Sequence, residues 1–98
     1  MFIVRDIFHL KFGHYKDAKA LFDEAKSKNM MPDAQNLRLL SDFTGDSYRL
    51  ILEQGFPSLA EYESSLTSNL NQEAWQSWYK EFKEHVERSH REILKVIL

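Results

Sequence analysis

His9 is the side chain in this chain best suited to moving a proton. An imidazole titrates near neutral pH, so in a partly closed cavity it can act as a general base. The plainer reading is a hydrogen-bonded histidine at a protein interface. Arg5, Arg38, Arg49 and Arg91 carry planar guanidinium forks that match a carboxylate or a developing enolate. The plainer reading is that they pair with Asp42, Glu53 and backbone carbonyls, because charges buried in an interface are usually paired. Tyr48 stands at a hairpin end and can reach a pocket mouth. Tyr62, Trp75, Trp78 and Tyr79 are able to line a pocket, although aromatics at helical spacing more often form core.

Other chemistries find less support. His85 and His90 lie five positions apart across an expected helix end, with Glu84 and Glu87 nearby. A helical metal pair wants a spacing of three or four on one face, so no metal is expected there. His14, at a helix start, is expected to be exposed. With three glycines in all, the chain has no Gly-rich phosphate loop, and no Ser-His-Asp arrangement is evident. The absence of cysteine excludes disulfides, thiolate metal sites and a Cys nucleophile.

These residues belong to strands with two different faces. In Phe2–Phe12, one face carries Phe2, Val4, Asp6, Phe8, Leu10 and Phe12, and the other Ile3, Arg5, Ile7, His9 and Lys11. Asn36–Thr44 divides into Leu37, Leu39, Ser41 and Phe43 against Arg38, Leu40, Asp42 and Thr44. Ser47–Gln54 sets Tyr48, Leu50 and Leu52 against Arg49, Ile51 and Glu53. In Arg91–Leu98, Leu94, Val96 and Leu98 oppose Arg91, Ile93, Lys95 and Ile97. The greasy faces want helices. The mixed faces are assigned Ile3, Ile7, Leu40, Ile51, Ile93 and Ile97, interleaved with Arg5, His9, Arg38, Asp42, Arg49, Glu53 and Arg91.

Between the strands the period changes to helical. Tyr15, Ala18, Leu21, Phe22 and Ala25 form one stripe over His14–Lys28. Asn29–Asp33 reads as a loop, with Pro32 barring continuation. Gly45-Asp46 signals a hairpin. Ser58-Leu59-Ala60-Glu61 has capping-box spacing and opens a helix presenting Leu59, Tyr62, Leu66 and Leu70. Asn69 and Asn71 mark a break. A second helix carries Ala74, Trp75, Trp78, Tyr79, Phe82 and Val86, and Glu87–His90 turns into the last strand.

The order strand-helix-strand-strand-helix-helix-strand predicts a four-stranded antiparallel sheet with helices on one face, a ferredoxin-like α+β architecture over a single domain, 1–98. Six large aliphatics on the uncovered face would form a patch that monomers usually avoid. A symmetric homodimer through that open sheet face is therefore expected. At 98 residues with 29% charged side chains and a net charge of −2, the chain is an ordinary globular protein without the basic footprint of a nucleic-acid binder. Arg5, Asp6 and His9 interrupt the apolar start, which argues against a signal peptide, and no run is long enough to span a bilayer. A cytoplasmic location, no membrane and no nucleic acid are the expectations.

Particular segments resemble a known superfamily. Lys11-Phe12-Gly13 at the end of the first strand, and Asp42-Phe43-Thr44-Gly45 leading to Tyr48–Glu53, are similar to the dimeric α+β-barrel superfamily. Phe56–Glu63, the Trp75–Tyr79 segment, and Val86-Glu87 leading to Arg91-Glu92-Ile93 are similar to NIPSNAP-like proteins. The resemblance implies a ferredoxin-like protomer and a dimer whose two sheets form a barrel. The superfamily includes cofactor-free monooxygenases, haem-degrading enzymes, isomerases and ligand-binding regulator domains. The Asn, Trp and His constellation of the haem-degrading branch has no clear counterpart in this chain.

Three functions follow as expectations. The first is binding of a small apolar or weakly acidic molecule, without a bound cofactor, between sheet and helices or inside the barrel, with Arg5, Arg38, Arg49, Tyr48 and Arg91 as ligand contacts. The second is a cofactor-independent monooxygenase or isomerase in which His9 transfers the proton. The third is an interaction module whose mixed face serves dimerisation alone.

Overall fold

The computed structural model describes residues 1–31, 35–70 and 73–98, the side chains of 35, 69 and 70 excepted. Its elements run β1 (Phe2–Leu10), α1 (Tyr15–Ser27), β2 (Gln35–Ser41), β3 (Arg49–Phe56), α2 (Leu59–Leu70), α3 (Glu73–Phe82), a single 3-10 turn (Lys83–His85) and β4 (Val86–Lys95). The strands form one sheet in the order β2-β3-β1-β4, with every neighbouring pair antiparallel. This is the expected ferredoxin-like α+β architecture. Pro32, Asp33, Asn71 and the side chains of Asn69 and Leu70, on which the expected loop and helix break partly rest, lie outside the described residues.

The helices pack because their stripes match one sheet face. Ala18, Leu21, Phe22 and Ala25 of α1 are buried on Leu10, Leu50, Leu52, Trp78 and Phe82. Trp78 Nε1 donates to the Leu21 carbonyl at 2.6 Å, which ties α3 to α1 inside the core. Trp75, Trp78 and Phe82 stack down one side of α3, each ring about 5 Å from the next. Phe8 and Phe22 meet Phe82 edge-on at 4.9 and 5.0 Å. A second cluster joins Val4, Phe56 and Tyr62 beneath α2. The Ser58 hydroxyl accepts the Glu61 N–H at 3.2 Å, so the expected cap starts α2.

Two differences from the sequence reading alter which residues meet. First, the β2–β3 connection is not a two-residue hairpin but the longer segment 42–48. Arg49 clasps Asp42 with three hydrogen bonds of 2.8–3.1 Å, and Ser47 and Tyr48 both take left-handed backbone. Gly45 closes this loop at φ +126°, where an added Cβ would lie 3.3 Å from Asp42 Oδ1. Second, β4 begins at Val86 rather than Arg91, which brings Glu87–His90 into the sheet. Asp6 stands opposite Arg91, Val4 opposite Ile93 and Ile7 opposite His90. Arg91 and Ile93 therefore lie on the helix face, and the open face of β4 carries Arg88, His90, Glu92 and Leu94. Side chains alternate along β4 as its sequence implies, but their phase relative to β1 depends on pairing, which the strand's own sequence does not encode.

Candidate functional site

A cavity of about 670 Å³ lies between the helix face of the sheet and helices α2 and α3. That volume suits a small organic molecule. The helices create it by covering the sheet unevenly. Leu10, Leu50 and Leu52 sit under α1 and the Trp78–Phe82 stack, whereas Tyr62 of α2 covers Val4 and Phe56. Between these clusters the walls are Phe8, Phe22, Leu52, Leu66, Trp75 and Trp78, with exposed Gln76, Tyr79 and Lys80 at the rim.

The floor is polar. Asp6 and Gln54 interrupt the helix-face sets of β1 and β3, and Arg91 adds a cation from β4. Arg91 Nε donates to Asp6 Oδ1 at 2.5 Å, so the acid set among Val4 and Phe8 has its counter-charge. The guanidinium also lies 5.7 Å from the centre of the Tyr62 ring, a cation–π distance. Burial works against its charge, but the hydrogen bond and charge of Asp6 outweigh this and raise its pKa. Burial pushes the Tyr62 phenol up. The Tyr62 hydroxyl is buried and has no hydrogen-bond partner among the described residues. Such a group commonly marks a water or a ligand. Chemically, the arrangement is an aromatic box with one cation, one acid and one amide at its base. It fits a flat, largely apolar molecule with a polar or anionic end.

The residues singled out from sequence are distributed over three places. Arg91 lines the cavity. Arg5 and Arg38, on the open face, share the buried Glu53: Arg5 Nε lies 2.8 Å from Glu53 Oε2, and Arg38 Nη2 bonds Glu53 Oε1. Their hydrogen bonds outweigh burial and hold the Glu53 carboxyl below the usual range, with Arg38 the larger contributor. Arg49 holds Asp42 in the same way, lowering its pKa. These three arginines thus have protein carboxylates as partners.

His9 also faces away from the cavity. It stands between Arg49 and Arg88 across the sheet and stacks on His90 at 5.5 Å. Burial lowers its pKa, aided by Arg88, His90 and Arg49. Tyr48 is at neither place. With Arg49, Asp42 and Tyr15 it lines a smaller depression of about 380 Å³ at the sheet's end, its ring 5.2 Å from exposed Phe12.

Sequence reasoning did not single out Asp6 or Gln54, yet a signal was present. Each is a lone polar side chain in an otherwise apolar parity set, and a buried polar group requires an explanation. Trp75, Trp78, Tyr62 and Tyr79 were weighed as core. Trp78 and Tyr62 are core, and all four also line the cavity.

No protein-family model matches the chain, and no curated protein matches it. Solved structures do. A NIPSNAP family protein from Agrobacterium tumefaciens superposes with a TM-score of 0.84 at 21% identity, over 97% of this chain and 92% of that one. A NIPSNAP-like domain protein from Burkholderia xenovorans gives 0.87 at 15% identity, over 98% and 84%. An antibiotic biosynthesis monooxygenase gives 0.73 at 13% identity over the whole of both chains. The likeness to NIPSNAP-like proteins read from the sequence thus extends to the fold, which is what similarity at these identities shows. No helix among the described residues is long and apolar enough to cross a membrane.

Proposed function

We propose that this protein binds a small, largely apolar and weakly acidic molecule in the cavity between sheet and helices. The observation that carries this reading is the Asp6–Arg91–Gln54 floor beneath aromatic walls. Trp75, at the open end of the aromatic stack, offers a face for a flat ring, and Arg91 offers a donor to its polar end. The working unit in this proposal is a homodimer joined through the open sheet face. There Leu40, Ile51 and Ile7 form an aliphatic row between the Glu53 and Asp42 ion-pair rows. Because those charges already have partners, a second sheet can cover them without stranding an unpaired ion.

The likeness to an antibiotic biosynthesis monooxygenase favours one second reading, a cofactor-independent oxygenase or isomerase. In it the cavity holds the substrate, and His9 serves only a molecule enclosed between two sheets.

Native mass spectrometry of freshly purified protein tests the proposal. A dimer that carries, or takes up, a small aromatic acid supports it. A monomer at micromolar concentration rejects the open-face dimer. Failure of a broad panel of aromatic and fatty acids to bind the intact protein or raise its melting temperature rejects the ligand site.

A further inference from the structure

The four histidines of this chain come together as two pairs, in different surroundings. His9 and His90 stack on the open face, where Arg88 and Arg49 bring positive charge. His14 and His85 meet at the edge where α1 begins and the 3-10 turn ends, and their Nδ1 atoms lie 2.9 Å apart. Asp17, one helical turn after His14, completes this second group: one ligand atom from each of the three residues lies within 4.8 Å of the others. Arginines flank the first pair, whereas a carboxylate accompanies the second.

We infer that His14, Asp17 and His85 form a binding site for a divalent first-row transition metal, of the zinc or cobalt class. Two imidazole nitrogens and a carboxylate oxygen are a donor set suited to these ions and unsuited to calcium or magnesium, which want oxygen alone. On a tetrahedral ion with bonds of about 2.0–2.1 Å, two nitrogens stand about 3.3 Å apart, so the 2.9 Å separation opens by a few tenths of an ångström. Three protein ligands leave a further position for water.

Backbone hydrogen bonds bring the main chains of the two histidines together before any ion arrives. Lys11 N–H donates to the His85 carbonyl and His14 N–H donates to the Lys11 carbonyl, each at 3.0 Å. One residue thus links both histidine backbones. Gly13, at φ +83°, makes the turn between them. The His14 side chain makes no capping hydrogen bond, so helix initiation does not occupy it. Asp17 is exposed and can swing toward the pair. The dipole at the start of α1 weakly opposes a cation, and the Asp17 charge offsets it. The bound ion joins the β1–α1 turn to the start of β4, apart from the cavity's polar floor.

Cobalt titration of the tag-free protein, read by its visible ligand-field absorption and by displacement with zinc, tests this site. One ion per chain is expected. His14→Ala and His85→Ala each weaken binding by about 100-fold or more, at least the loss that removal of even an outer-shell partner brings. Asp17→Asn, at an exposed helix position that leaves the core intact, weakens it by about tenfold or more. His9→Ala and His90→Ala bind as the unaltered chain does. The proposal is overturned if the protein takes up no stoichiometric ion. It is equally overturned if binding survives His14→Ala and Asp17→Asn, or is lost on removal of His90.

Discussion

The two faces of the sheet are made from the same four strands, yet they treat charge in opposite ways. On the open face, Glu53 is held by Arg5 and Arg38, and Asp42 by Arg49, in rows separated by Leu40, Ile51 and Ile7. Each of these charges is consumed by its neighbour. On the helix face, one ion pair, Asp6–Arg91, stands among aromatics beside a cavity. It keeps one side toward open space. An arginine locked to a buried carboxylate contributes to a surface, whereas an arginine that shares its acid with a cavity can also meet a ligand.

Perturbing each face separately sharpens this contrast. Phe82 is 1% exposed and touches Phe8, Phe22 and Trp78. Phe82→Ala is expected to cost about 3–5 kcal/mol of chain stability, independent of protein concentration, by chemical denaturation. Ile51→Asp on the other face is expected to act through association, so its loss relative to the unaltered chain grows with protein concentration, while the separated variant's own midpoint does not. A concentration-independent loss as large as that of Phe82→Ala would make both faces parts of one chain's core.

Glu53→Ala leaves Arg5 and Arg38 facing each other without their shared acid. A loss of about 2 kcal/mol in urea unfolding is expected, the scale of a charge-assisted hydrogen bond, because both arginines keep much of their contact with water. Arg91→Gln is expected to weaken binding of an aromatic acid about tenfold, near 1.4 kcal/mol, by calorimetry. Arg38→Gln should leave that affinity unchanged. Equal effects from the two would mean that ligand binding does not distinguish the faces.

The smallest effect is on pH dependence. Burial, aided by the charges of Arg88, His90 and Arg49, sets the folded pKa of His9 below its unfolded value. Below about pH 6.5 the unfolded chain takes up this proton before the folded chain does, and stability falls until the folded value is passed. Asp42 and Glu53, lowered by Arg49 and Arg38, add stability that is present above about pH 4 and lost on further acidification. Two steps are thus expected in stability against pH. His9→Asn should remove only the upper one, and an unchanged upper step would assign it to another group.

The sequence by itself determined much of this protein. Alternation placed Val4, Phe8, Leu50 and Leu52 on one face and Arg5, Ile7, Arg49 and Glu53 on the other, because a strand's side-chain period is local geometry. The α1 stripe and the Ser58 cap were likewise legible, since both depend on residues three or four apart. The tertiary structure decided everything that required two distant segments to be phased. It set Arg91 opposite Asp6 rather than beside Arg5, and left an aromatic cavity where α2 and α3 cover the sheet unevenly. It also divided four histidines into one pair among arginines and one pair with an acid. His14 and His85 are 71 positions apart, and no local period records such a meeting. Strand register and helix packing create it only when the whole chain is assembled.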